Sequence, residues 1–264
     1  MSGAARRLTR ALQPVVPRRR GGGHVLAYHL VGAGSGLAVD LGADAFAEQI
    51  AELAERAVPK SLADLWESRR EVRDAVAVTF DDAFRNFADQ AWPVLQRYRV
   101  PVTLFVPVGF VAGEAGSPFG DAWSAAPLSW DDLRGLADDP LVSLGSHSWS
   151  HVDLRRLDRA TLRDDLRRSR ERLEDEIGAS VESFCYPRGY WSSRAEEQVR
   201  QVYSLAVVGG GRRVDATCSE PLRIPRTSLR ADMPRSLSSF LDRALCVEEW
   251  LADRLRRRRR RRRR

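Results

Sequence analysis

Two short segments, each closing an apolar run, constrain this chain more than any other feature. Residues 75–80 (AVAVTF) lead directly into Asp81-Asp82, and residues 141–145 (LVSLG) lead into Ser146-His147-Ser148-Trp149-Ser150-His151. A short apolar run that ends at once in groups able to do chemistry has the pattern of a buried strand with its functional residues at the C-terminal end. The layout recurs. Residues 24–30 (HVLAYHL) present His29, and residues 182–186 (ESFCY) end in Pro187-Arg188-Gly189. Further strands are expected at 102–106, 205–208 and 222–224.

Helical patterns separate these runs. Phe46, Ile50, Leu53 and Ala57 form one stripe, and a helix is expected over 84–99. Residues 159–177 carry Leu162, Leu166, Leu173 and Ile177 on one face, with Gly178 suited to the C-cap. Ser129 with Asp132, and Ser193 with Glu196, mark two further helix starts. Strand alternating with helix predicts an α/β domain with a parallel sheet or barrel, whose chemistry gathers at the C-terminal strand ends.

Length and charge divide the chain into a body and two tails. At 264 residues and 43% apolar, one domain can bury a full core. Residues 1–22 hold six arginines and no acid and run into a glycine triplet at 21–23, so they are expected to be a flexible basic arm. Residues 23–255 are the expected domain, closing with a helix over 237–255. Residues 256–264 are nine arginines, an expected disordered tail; without them the net charge of +7 becomes negative. The tail suits an anionic membrane surface, or no selected role at all. Nothing in the chain has the pattern of a specific nucleic-acid fold.

Cys185, Cys218 and Cys246 are odd in number and form no CxxC pair, which points to reduced thiols and a cytoplasmic or membrane-associated protein. No secretory signal or membrane span is evident, since the apolar stretch 100–112 is interrupted by Pro101, Pro107 and Gly109.

Two imidazoles four positions apart can meet on one metal, and a carboxylate from another strand end can complete the set. A second carboxylate beside it can serve as a base. The bland alternatives are a helix N-cap for Asp81-Asp82 and a surface helical turn for the two histidines.

These segments, in this order and spacing, resemble those of the NodB-homology polysaccharide deacetylases, carbohydrate esterase family 4. The carriers are Thr79-Phe80-Asp81-Asp82, Ser146 to His151, Phe184 to Gly189, and Tyr28-His29 on the first strand. The resemblance implies a distorted (β/α)7-type barrel, a divalent metal that is usually zinc, and hydrolysis of N-acetyl groups on a sugar of a cell-surface glycan or its lipid-linked precursor. It implies Asp82, His147 and His151 as metal ligands, Asp81 as the general base, and the backbone N–H of Arg188 as an oxyanion donor. Tyr186, Pro187 and Trp191 are candidates for contact with substrate.

The pattern departs from the family at three places. Cys185 stands where many members have the arginine that orients the base. Arg188 replaces an aromatic residue. No histidine follows His151, so the usual late acid is missing and His29, expected on the side opposite Asp81, is its replacement. These departures keep two alternatives open: a catalytically impaired glycan binder, and a deacetylase of O-acetyl esters or non-sugar amides.

Overall fold

Why the expected strands close on themselves is visible in their pairing. The computed structural model describes residues 22–211, 213–218, 220–233 and 236–237. Seven strands, β1 (Gly22–Tyr28), β2 (Arg73–Phe80), β3 (Val102–Val106), β4 (Val142–Ser146), β5 (Ser183–Cys185), β6 (Leu205–Gly209) and β7 (Ile224–Ser228), form a parallel barrel in chain order. β7 pairs with β1, and β1 pairs with β2 along its whole length, from Gly22 opposite Arg73 to Tyr28 opposite Phe80. β4 and β5 meet at the single register Ser146 opposite Phe184, which is where the barrel is most distorted. A two-residue strand, Val58–Pro59, covers the lower edge of β2 from outside.

Alternation along each strand sorts the side chains. Leu26, Tyr28, Val76, Val78, Phe80, Leu104, Val106 and Phe184 point outward into the larger core beneath the helices. Those helices include α1 (Ala43–Arg56) and the long α3 (Arg159–Ile177), whereas the short α2 (Leu62–Glu67) packs elsewhere. Val25, Ala75, Ala77, Phe105, Cys185, Val207 and Ile224 point inward and form a second core with Leu62, Leu65 and Trp66 of α2, which plugs the N-terminal end. His24 belongs to that closed end. It accepts a hydrogen bond from Arg213 (3.0 Å), and burial together with that guanidinium lowers its pKa to about 3.

The expected helix at 159–177 is present with the expected ends: Asp158 caps the N-terminus and Gly178 takes φ +66°. Ser129 and Asp132 form a reciprocal capping box. Three boundaries differ. β1 begins at Gly22, inside the expected arm, because the chain there already bonds to Val72 and lies against Val214. The expected helix over 84–99 is a π-turn, Phe87–Ala91, followed by a short α-helix, Trp92–Arg97; Pro93 has no N–H to continue an α ladder. The last strand, expected over 222–224, begins only at Ile224 and runs through Pro225 to Ser228, while Pro221–Arg223 forms a 3-10 turn.

The arm 1–21, the tail 256–264, Cys246 and the expected final helix beyond Leu237 lie outside the described residues. Cys185 and Cys218 are both buried. Among the described residues no helix is long and apolar enough to cross a membrane.

Gly145 faces inward, and a Cβ there would lie 2.5 Å from Ser183 Oγ and 2.6 Å from the Phe105 ring. Phe105 is fully buried and cannot retreat. Gly145→Ala is therefore expected to destabilise the fold by roughly 1–3 kcal/mol, the usual cost of overpacking, measurable by denaturant unfolding.

Candidate active site

The same inward register that fills the barrel with small apolar groups changes character at its C-terminal mouth. Ala27, His29, Asp81, His147, Gly209, Arg226 and Ser228 line one cleft there, joined by Asp82, His151, Arg188 and Gly189. Val39 and the Pro118-Phe119 segment of the long loop after β3 close its other side. That loop is pinned by an aromatic cluster: Phe119 stacks on Phe84 (5.6 Å), with Trp123 edge-on to both.

Asp81 continues β2, and its N–H donates to the Tyr28 carbonyl of β1. Its carboxylate is gripped by Arg226 of β7, with NH1 to Oδ1 at 2.7 Å and NH2 to Oδ2 at 2.8 Å. Burial alone would push the Asp81 pKa up, but the charge and hydrogen bonds of Arg226 outweigh it and hold the carboxyl below the ordinary range. Asp82 then turns away with φ +74°, a conformation that strains a non-glycine residue.

Asp82 Oδ1 lies 3.3 Å from His151 Nε2 and 3.7 Å from His147 Nε2, and the two nitrogens are 3.3 Å apart. His147 Nδ1 is 2.8 Å from the Cys185 carbonyl, which can only accept, so that nitrogen carries the proton and Nε2 offers a lone pair. Burial lowers the His147 pKa to about 4 and that of His151 well below its usual value. Burial, reinforced by the Asp81 charge, raises that of Asp82.

Asp82 Oδ1 is buried without a hydrogen-bond partner. Acceptors facing one another with no donor between them are what a cation satisfies, and ligands of one tetrahedral zinc sit about 3.3 Å apart. The donor set therefore fits a divalent metal.

Helix α3 holds the histidine loop in place. Its Asp165, buried on the apolar face, accepts from the backbone N–H of Trp149 and Ser150 and from Ser150 Oγ. Ser169 meets Ser146 Oγ at 2.7 Å, and Arg168 covers the Trp149 ring. These contacts support the loop in which Ser148 and His151 both take positive φ.

His29 Nε2 lies 3.6 Å from Asp81 Oδ2. The imidazole is therefore beside the carboxylate and not on the opposite side, as expected from sequence. The reason is the β1–β2 pairing, which makes residues 29 and 81 neighbours at the ends of adjacent strands. Burial lowers the His29 pKa, with Asp81 opposing, and its Nδ1 has no hydrogen-bond partner, so the ring is not merely tying down a loop.

Arg188 sits at the cleft with φ +60°, and its N–H reaches no backbone acceptor among the described residues. Gly189 follows because a Cβ there would strike the Gly209 nitrogen at 2.8 Å.

Tyr186, Pro187 and Trp191 do not line the cleft. Tyr186 has outward parity and is fully buried against Phe184. Trp191 is 37% exposed, but its indole N–H donates to Glu196 and Arg223 lies over its ring. Sequence reasoning missed Arg226, Asp165 and Phe119. A polar residue on the apolar stripe of the helix was the available signal for Asp165.

The polysaccharide deacetylase family model matches residues 68–205, and the chain belongs to that family. It is 32% identical over 116 residues to the poly-β-1,6-N-acetyl-D-glucosamine N-deacetylase of Escherichia coli (strain K12), a match covering 40% of this chain and 17% of that relative. The chain thus spans only a small part of the length of that relative. Among solved structures, the fold is similar to the Streptococcus pyogenes deacetylase PplD (TM-score 0.71, 18% identity, 86% of this chain and 99% of that one). It is similar too to BC0361, a polysaccharide deacetylase from Bacillus cereus (TM-score 0.70, 20% identity, 85% and 69%).

If Asp82, His147 and His151 form one site, alanine at any of the three should abolish stoichiometric zinc binding, read by calorimetry on the chelator-treated protein. Undiminished binding in all three variants would remove the site.

Proposed function

We propose that this chain is a metal-dependent deacetylase that releases acetate from N-acetylated sugars of a cell-surface glycan. The observation that carries the reading is one cleft in which a clasped, ionised carboxylate, Asp81, adjoins three mutually facing acceptors, Asp82, His147 and His151. A divalent metal held by those three, zinc by preference, would supply Lewis-acid polarisation of the acetyl carbonyl and an acidified water.

The chain's own groups then divide the proton work. Asp81 is ionised and accepts the proton of the attacking water. His29 starts neutral and stands next to Asp81, so it can receive that proton and deliver it to the departing amine. Arg188 lines the cleft, and its backbone N–H would serve as a donor for the negative charge that develops on the carbonyl oxygen. Phe119 and Val39 bound the space left for the acetylated residue.

The impaired-binder alternative rested on a missing arginine and a missing late histidine. A guanidinium on Asp81 and an imidazole beside it weigh against that reading.

Acetate release should be measured across N-acetylglucosamine oligomers, peptidoglycan fragments and lipid-linked sugars, with and without chelator. Chelator-sensitive release from a glycan supports the reading; no release from any of them overturns it. Asp81→Asn is expected to retain zinc and lose ~10²–10⁴-fold in kcat, the usual worth of a general base. His29→Ala should retain zinc and lose far more on the amide than on an activated acetyl ester, because a good leaving group needs little protonation. Equal losses on both substrates would show that His29 is not the acid.

A further inference from the structure

The barrel supplies a guanidinium to Asp81 from a strand that the family match does not reach. The match ends at residue 205, whereas Arg226 lies on β7. Arg226 is 5% exposed and crosses the barrel mouth to β2. NH1 donates to Asp81 Oδ1 and to Thr79 Oγ1 (3.0 Å), and NH2 donates to Asp81 Oδ2 and to Cys185 Sγ (2.9 Å). The Thr79 hydroxyl is itself fixed, donating to the Leu26 carbonyl at 2.8 Å. Phe105 lies beneath the guanidinium, 5.5 Å from ring centre to its carbon.

Cys185 is the other half of the arrangement. It stands where an arginine was expected from the resemblance, and its sulfur touches the guanidinium that comes from β7. A longer side chain at 185 would occupy the volume of that guanidinium, and a second cation there would face the first across one carboxylate.

We infer that Arg226 is the positioning residue for Asp81 and that Cys185 is the small side chain that makes room for it, so that positions 185 and 226 form an exchangeable pair holding one guanidinium on the base. This inference rests on the deacetylase reading for its kinetic consequences. A planar fork grips both carboxylate oxygens and fixes the plane of Asp81, which a lysine ammonium cannot do. Misplacing a catalytic group by about 1 Å costs on the order of 10²-fold in rate.

The test uses the full chain loaded with zinc, on a glycan that the wild type deacetylates. Arg226→Ala is expected to lose roughly 10²-fold in kcat, with KM and zinc content unchanged. Arg226→Lys should fall between that variant and the wild type. Millimolar guanidinium should restore part of the kcat of Arg226→Ala and none of that of Asp81→Asn. Cys185→Arg alone should be impaired, and Cys185→Arg combined with Arg226→Ala should exceed both single variants.

Unchanged kcat in Arg226→Ala, an effect confined to KM, loss of zinc in step with loss of rate, or a double variant no better than its parents would each overturn the inference. Should the wild type release no acetate from any glycan, the deacetylase reading falls, and the pairing is then read from thermal unfolding. Arg226→Met and Asp81→Asn should each destabilise, with the double variant losing less than the two combined. Additive losses would overturn the pairing independently of turnover.

Discussion

The lateral pairing of β1 with β2 is the contact on which both the barrel and its chemistry depend. It runs from Gly22 opposite Arg73 to Tyr28 opposite Phe80, with one register shift after Gly22 and continuous register from Gly23 opposite Ala75 onward. Because it closes a sheet that would otherwise have two open edges, it turns seven strands into a barrel with no edge among them. The same register fixes which residues emerge side by side at the mouth. His29 and Asp81 are neighbours because the strands that carry them are neighbours.

Closure also explains how charged groups can be held almost out of contact with water. Asp81 and Arg226 are both about 5% exposed or less. An isolated carboxylate at that depth would take up a proton, and an isolated guanidinium would be costly to bury. Paired in a bidentate fork, with Thr79 and Cys185 accepting from the same two terminal nitrogens, they remain ionised. Asp82, one residue later, has no such partner and its pKa moves the other way. Two adjacent carboxylates are thus driven in opposite directions, Asp81 held ionised by the arginine it pairs with and Asp82 pushed up by burial and by the charge beside it.

The histidine loop shows a similar division. Its two imidazoles are directed by backbone turns at positive φ, and that strain is supported from α3 through Asp165 and Ser169. The helix therefore acts in two ways, burying Leu162, Leu166 and Leu173 in the outer core and fastening the loop that carries the site.

Local patterns were enough to read the strands at 102–106 and 141–145, the long helix at 159–177 with its C-cap, and the segments that deliver Asp81, Asp82, His147 and His151. Short apolar runs and capping residues are local signals, and the side-chain alternation of a strand is fixed wherever the strand forms. Proximity between elements far apart in sequence could not be read this way. Arg226 reaches Asp81 across 145 positions, and its strand looked finished at Pro225. Tyr186 looked like a cleft residue beside its motif, yet its parity turns it outward into the core. His29 was recognisable as a strand-end group, but its place beside Asp81 follows from barrel closure. Which groups stand at the strand ends follows from local pattern alone. Which of them touch follows from barrel closure, because closing the barrel sets the order and register in which those ends come together.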